Sequence, residues 1–154
     1  MGYRYRLLSS AILCIVAPVL LSAGACGPGA TTPTNDLAAA RARWARSAPA
    51  AYSYTIQRSC ECVAESSGPV IVSVRNGSVD SRVYAGTGVT VAAQYATTFP
   101  AVEGLFSIIE SAIANGTKPL SVEYHPTLGY PTRIALGDPA VDAPLYSVTD
   151  FRPQ

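Results

Sequence analysis

Histidine is nearly missing from this chain, which holds one, at position 125. A site built from several imidazoles is excluded, and any Ser–His or Cys–His pairing has a single candidate base. Charge is scarce too. Charged side chains make up 14% of the 154 residues against 49% hydrophobic, the reverse of a chain kept unfolded by its charge. Neither sign dominates, with 11 Lys and Arg facing 10 Asp and Glu for a net +1. Without a basic excess nothing tracks phosphates, so nucleic acid is not expected as a partner. No serine stands in a G-x-S-x-G elbow, which leaves a hydrolase without its nucleophile motif. The short Gly86-Thr87-Gly88 lacks the strand–helix junction and the ribose carboxylate of a dinucleotide site. No metal and no cofactor is implied. The length suits one domain.

What is present begins with an address. Arg4 and Arg6 precede a run from Leu7 to Leu21 that only Ser9, Ser10 and Pro18 interrupt, and Ser22-Ala23-Gly24-Ala25-Cys26 closes it. A basic start, an apolar middle and a small-residue end make residues 1–25 a secretory signal. Ala23-Gly24-Ala25 suits ordinary signal peptidase. The same residues before Cys26 resemble a bacterial lipobox, with Ala23 where a leucine is usual; there the cysteine is acylated and becomes the new N-terminus. An anchored product, a secreted one and an uncleaved span are the three outcomes, and Pro18 argues against the last. The expectation is an exported protein held at the cell envelope by a lipid anchor on Cys26. Residues 26–35, rich in Gly, Pro and Thr, would serve as a flexible linker. Residues 36–154 would form a single domain.

Export leaves Cys60-Glu61-Cys62 as the internal cysteine pair. On a flat strand their Cα atoms would lie about 6.6 Å apart, near the upper limit for a bridge. A bulge or kink is needed to close one. A strained local disulfide, two reduced cysteines packed as small apolar groups, and a redox or metal pair are the competing readings. Arg58 is the one cation nearby that could acidify a thiol.

Periodicity supplies the rest. Leu37, Ala40 and Trp44 share a face of a helix over 35–47, which Pro49 ends. Residues 52–63 alternate, with Tyr52, Tyr54, Ile56, Arg58, Cys60 and Cys62 on the core side of a strand. Val70–Arg75 and Ser78–Tyr84 flank Asn76-Gly77, a strong hairpin signal. Residues 91–98 are ambiguous. From Phe99-Pro100 a second helix carries the stripe Val102, Leu105, Phe106, Ile109 and Ile113 and stops at Asn115-Gly116. Strands follow over Leu120–Tyr124 and Tyr130–Leu136, with His125 exposed in the loop between them. After a turn at Gly137-Asp138-Pro139, residues 145–151 complete an edge strand. The order α-βββ-α-βββ predicts an α+β fold, an antiparallel sheet of about six strands with two helices packed on one face.

These landmarks occur in a recognisable order: Trp44, Tyr52-Ser53-Tyr54, Cys60-x-Cys62, Asn76-Gly77, then Tyr124-x-Pro126-x-x-Gly129-Tyr130-Pro131. The chain resembles a bacterial family of exported or lipid-anchored proteins catalogued as domain of unknown function 6174, over roughly residues 37–151. In that pattern an Asp often stands where His125 is, and an aromatic where Leu128 is. The resemblance brings no activity and no catalytic residue. It implies that Cys60, Cys62, Gly129, Tyr130 and Pro131 define the domain. Gly129 is expected to supply a backbone angle that a side chain resists, and Pro131 to open a strand where no donor is needed. His125, Gly129, Tyr130 and Pro131 form a candidate binding loop. The functional expectation is a non-enzymatic envelope lipoprotein that binds another envelope protein or a small ligand. The alternative is a thiol–disulfide redox protein or sensor using Cys60 and Cys62.

Overall fold

A computed structural model describes residues 33–118, 120–138 and 143–154. The expected signal peptide, Cys26 and the linker as far as residue 32 lie outside the described residues. So does the end of the Gly137-Asp138-Pro139 turn.

Helix α1 runs Pro33–Ser47, two residues earlier than its apolar pattern suggests. Proline is tolerated there because a first-turn residue needs no intrahelical donor. Strand β1 is Ala51–Ser59, β2 is Val70–Arg75 and β3 is Ser78–Tyr84. Asn76 and Gly77 both take positive φ, 50° and 75°, the turn geometry that matches strand twist in a two-residue hairpin. Ala93–Thr98 is a 3-10 turn. Helix α2 is Val102–Ala114, so Pro100 stands outside the helix rather than in its first turn. Strands β4, Leu120–Tyr124, β5, Pro131–Leu136, and β6, Leu145–Pro153, follow.

The six strands form one antiparallel sheet in the order β3-β2-β1-β6-β5-β4. The fold is therefore α+β. The two three-stranded meanders meet at β1 and β6, the first and last strands of the chain. This corrects the reading of β6 as an edge: it pairs with β1 on one side and β5 on the other. An edge was inferred because hydrophobic pattern is blind to strand order.

Tyr52, Tyr54, Ile56, Val70, Val72 and Val74 are each 2% exposed or less. They join Leu37, Ala40 and Trp44 of α1 and Val102, Leu105, Phe106 and Ile109 of α2 in one core. Each Val, Leu, Ile or Phe side chain among them contributes roughly 1.5–3 kcal/mol when taken from water. The intervening residues Ser53, Thr55, Ile71 and Ser73 point the other way and are half-buried.

Three strand pairings carry a register shift: β1–β6 at Ser53/Thr55, β2–β3 at Ser73/Val74 and β4–β5 at Glu123/Tyr124. Each puts an extra residue on one strand, a β-bulge, which reverses the side-chain alternation beyond it. In β6 the extra residue is Asp150, in the left-handed region at φ 51°. Tyr146 and Val148 face the core before the bulge. Phe151, on the opposite phase, faces it afterwards and stacks on Tyr52 and Tyr130. Asp150 and Arg152 are turned to the other side.

Candidate functional site

The two groups of residues marked by the sequence sit at opposite ends of the sheet. Cys60 follows Ser59, which pairs with Leu145 at the start of β6. The 125–130 loop opens β5 at the far end, where β1 begins.

At the first end β1 stops at Ser59, so the alternation through Cys60 and Cys62 does not continue as a strand. The two cysteines are half-buried in a turn instead of facing the core. The Cys62 amide donates to the Cys60 carbonyl at 2.8 Å. This tight turn brings the Cα atoms to 5.3 Å, and the residues form a disulfide. The kink that the flat-strand geometry required is thus present. Cys62 Sγ lies 3.3 Å from Ser67 Oγ, and Ser66 Oγ donates to the Val63 carbonyl. Arg58 stacks over the Tyr146 ring at 5.9 Å, and its Nε is buried without a hydrogen-bond partner. A groove of about 430 Å³ opens beside this turn, bordered by Ala64, Pro69, Tyr84 and Val89. Val63 and Val89 stand more than half exposed near it.

The other end is closed by packing. Gly129 takes φ +84°, and a Cβ there would come within 2.3 Å of the Ala40 carbonyl and 3.1 Å of the Trp44 amide. The glycine therefore serves twice: it turns the chain and lets the loop press against the backbone of α1. Tyr130 stacks on Phe151 with ring centroids 4.6 Å apart, and Trp44 stands edge-on to Tyr52, Tyr130 and Phe151. Pro131 is buried at the first position of β5. His125 is half-buried rather than exposed, stacked on Tyr130 at 5.0 Å. Its Nδ1 accepts from the amides of Thr127 and Leu128 at 3.3 and 3.1 Å. An aspartate carboxylate at that position would do the same. These four residues close this end of the domain, with His125 Nδ1 taken up by the loop's own amides.

Beneath them the tyrosines are electrostatically tuned. Trp44 Nε1 donates to Glu103 Oε1 at 2.9 Å, and the Tyr52 hydroxyl reaches Glu103 Oε2 at 3.5 Å. Burial, then the Glu103 charge, pushes the Tyr52 hydroxyl far above the usual tyrosine range. Burial does the same to Tyr54, whose hydroxyl donates to the Pro100 carbonyl. Tyr124 is pushed up to about 12, by burial first and then by Asp36, with Arg43 opposing. These groups stay neutral at physiological pH and are not poised for proton transfer.

A third place was missed by the sequence reading. On the sheet face opposite the core, Ser53, Thr55, Ile71, Ala85, Asp150 and Arg152 line a hollow of about 340 Å³. Tyr54 contributes there as well, but its ring is 1% exposed in the core. The hollow sits where the two meanders join, at the β6 bulge. One signal for it was available. In 145–151 the aromatic Phe151 shares its phase with Ser147 and Thr149, while the carboxylate of Asp150 shares one with Tyr146 and Val148. An alternation that changes phase within a strand marks a bulge.

Among the described residues no three His, Cys, Asp or Glu side chains gather as a metal-holding group. Among them, too, no helix is long and apolar enough to cross a membrane.

A small antiparallel α+β domain with a disulfide-closed turn at one end and a glycine-docked aromatic loop at the other is the class these features define. The profile of a family of unknown function, DUF6174, matches residues 36–153, and the chain belongs to that family. No curated protein and no solved structure matches the chain.

Proposed function

We propose that this protein is a non-enzymatic binding module, exported and anchored to the cell envelope through a lipid on Cys26. Both helices cover one face of the sheet in this reading, and the opposite face is the surface that meets a ligand or an envelope partner. The observation that supports it most is the division of the sheet. Tyr52, Tyr54 and Ile56 of β1 and Val70, Val72 and Val74 of β2 are buried with the helices, while Ser53, Thr55, Ser73, Ser147 and Thr149 line the other side with hydroxyls. A face of short polar side chains contributes little to the core and is free to form hydrogen bonds with something else.

The test has two parts. An intact mass of the membrane-extracted protein should begin at Cys26 and include a diacylglyceryl group; a bare Cys26 or an uncut N-terminus overturns the anchor. A photo-crosslinking residue at Ser147 should capture one defined envelope component in intact cells, and the same residue at Ala45 on the exposed side of α1 should not. Equal capture from both positions overturns the assignment of the face.

The thiol–disulfide alternative draws on one observation, that Cys60 and Cys62 form a bond within a half-exposed turn. A redox role predicts reversible opening by a small dithiol with a change in an in vivo phenotype. A C60S/C62S double variant that behaves as the parent does in cells removes it.

A further inference from the structure

The geometry points to a specific ligand class for the hollow at the β6 bulge: a free α-amino acid with an aliphatic side chain, its ammonium held by Asp150 and its carboxylate by Arg152. The inference rests on the reading of the uncovered face as the binding surface.

Opposite charges line one small hollow. Asp150 and Arg152 are both exposed and both border it, yet the ion pairs of the described residues are Arg41–Glu110 and Arg133–Glu123. The carboxylate and the guanidinium are thus not neutralising each other. Asp150 accepts one hydrogen bond, from the Thr149 hydroxyl at 3.2 Å, which leaves further lone pairs open. A ligand bearing only one charge would satisfy only one of the pair. A zwitterion satisfies both and leaves the local net charge unchanged.

The remaining lining suits the rest of such a molecule. Ile71 and Ala85 provide an apolar floor, and Ser53 and Thr55 provide hydroxyls beside it. The volume of about 340 Å³ lies at the small end of ligand pockets. Among the described residues no aromatic ring faces the hollow, because the Tyr54 ring is buried on the core side. A sugar, which would be held by stacking on a ring, is correspondingly less well served.

The bulge is what assembles the pair. Asp150 adopts φ 51°, a conformation uncommon outside glycine, although Asp and Asn tolerate it better than most. With regular alternation Asp150 would share the core phase of Tyr146 and Val148. The shift turns both charges outward together.

The experiment is a titration of L-leucine into the isotopically labelled full chain in detergent micelles, followed by amide chemical shifts. Saturable shifts should be confined to residues around 53–55, 71, 85 and 150–152. N-acetyl-L-leucine lacks the ammonium and L-leucinamide lacks the carboxylate; each should bind at least about tenfold more weakly, as expected for loss of a charge-assisted contact. Asp150→Asn keeps a residue that accepts positive φ while removing the charge, and Arg152→Gln removes the other. Each should weaken leucine about tenfold with an unchanged spectrum elsewhere. Absence of saturable shifts, shifts centred elsewhere, or capped analogues binding as well as leucine overturns the assignment. If leucine fails while Ser147 still crosslinks an envelope component, the ligand class is wrong and the binding face stands. If leucine binds in the hollow and Cys26 is bare, the anchor is wrong and the site stands.

Discussion

The two ends of the sheet close in opposite ways. At one, Cys60 and Cys62 are tied covalently across two residues, and around them are exposed Val63, Val89 and a shallow groove. At the other, among the described residues no disulfide ties the loop down, yet Gly129 lies against the backbone of α1 and Tyr130 stacks within the aromatic core. A short disulfide restricts only its own turn. A glycine pressed between a loop and a helix couples two distant parts of the chain. The covalent end is therefore expected to be the energetically lesser one.

Gly129→Ala is the strongest way to break that comparison. A methyl group would meet the Ala40 carbonyl in a backbone conformation unfavourable to alanine. The expected loss is about 3–5 kcal/mol, from backbone strain and overpacking together, read by denaturant unfolding. A smaller loss than that of removing the disulfide would reverse the ranking.

Alkaline pH probes the packed end next. Tyr52, Tyr54, Tyr124 and Tyr130 all have hydroxyls raised above the ordinary value of 10, chiefly by burial. In the unfolded chain they ionise near 10, so above that pH the folded state holds more protons than the unfolded one. Stability is then full below pH 10 and falls as pH rises through 12 and beyond. Tyrosinate absorbance should lag behind the unfolded chain's titration and then appear together with loss of structure. A titration of all tyrosines near 10 without unfolding would contradict the buried placement.

The C60S/C62S double variant should cost about 1.6 kcal/mol, the loop-closure value for three residues, and leave the spectrum of the aromatic end unchanged. Smaller still is His125→Ala, at about 1 kcal/mol, because Nδ1 satisfies two loop amides. His125→Asp should recover most of that loss by accepting from the same amides.

Much of this architecture was legible. The spans of β2, β3 and β4, the Asn76-Gly77 turn, the α2 stripe and the core role of Trp44 follow from periodicity and turn chemistry, which are local. Three things were not legible, for related reasons. The alternation of β1 runs on through Cys60 and Cys62, and nothing in it says that a turn intervenes after Ser59. The central position of β6 depends on which strands pair, a long-range choice. His125 reads as exposed because stacking on Tyr130 is a tertiary contact. Of the candidate residues, the structure brings His125, Gly129, Tyr130 and Pro131 together as a docking element and places Cys60 and Cys62 at the far end. The hollow lined by Asp150 and Arg152 belongs to neither group.

The β6 bulge bears on how this strand can change over time. A strand has a reading frame of two, and Asp150 acts as a one-residue insertion within it. Hydrophobic residues before the insertion are read in one frame and Phe151 in the other. Deleting Asp150 would restore a single frame in which Tyr146, Val148 and Phe151 all share the core phase, so the packing would survive while the hollow lost its carboxylate. The inserted residue is thus dispensable for the packing of the aromatic end and indispensable for the charge pair of the hollow.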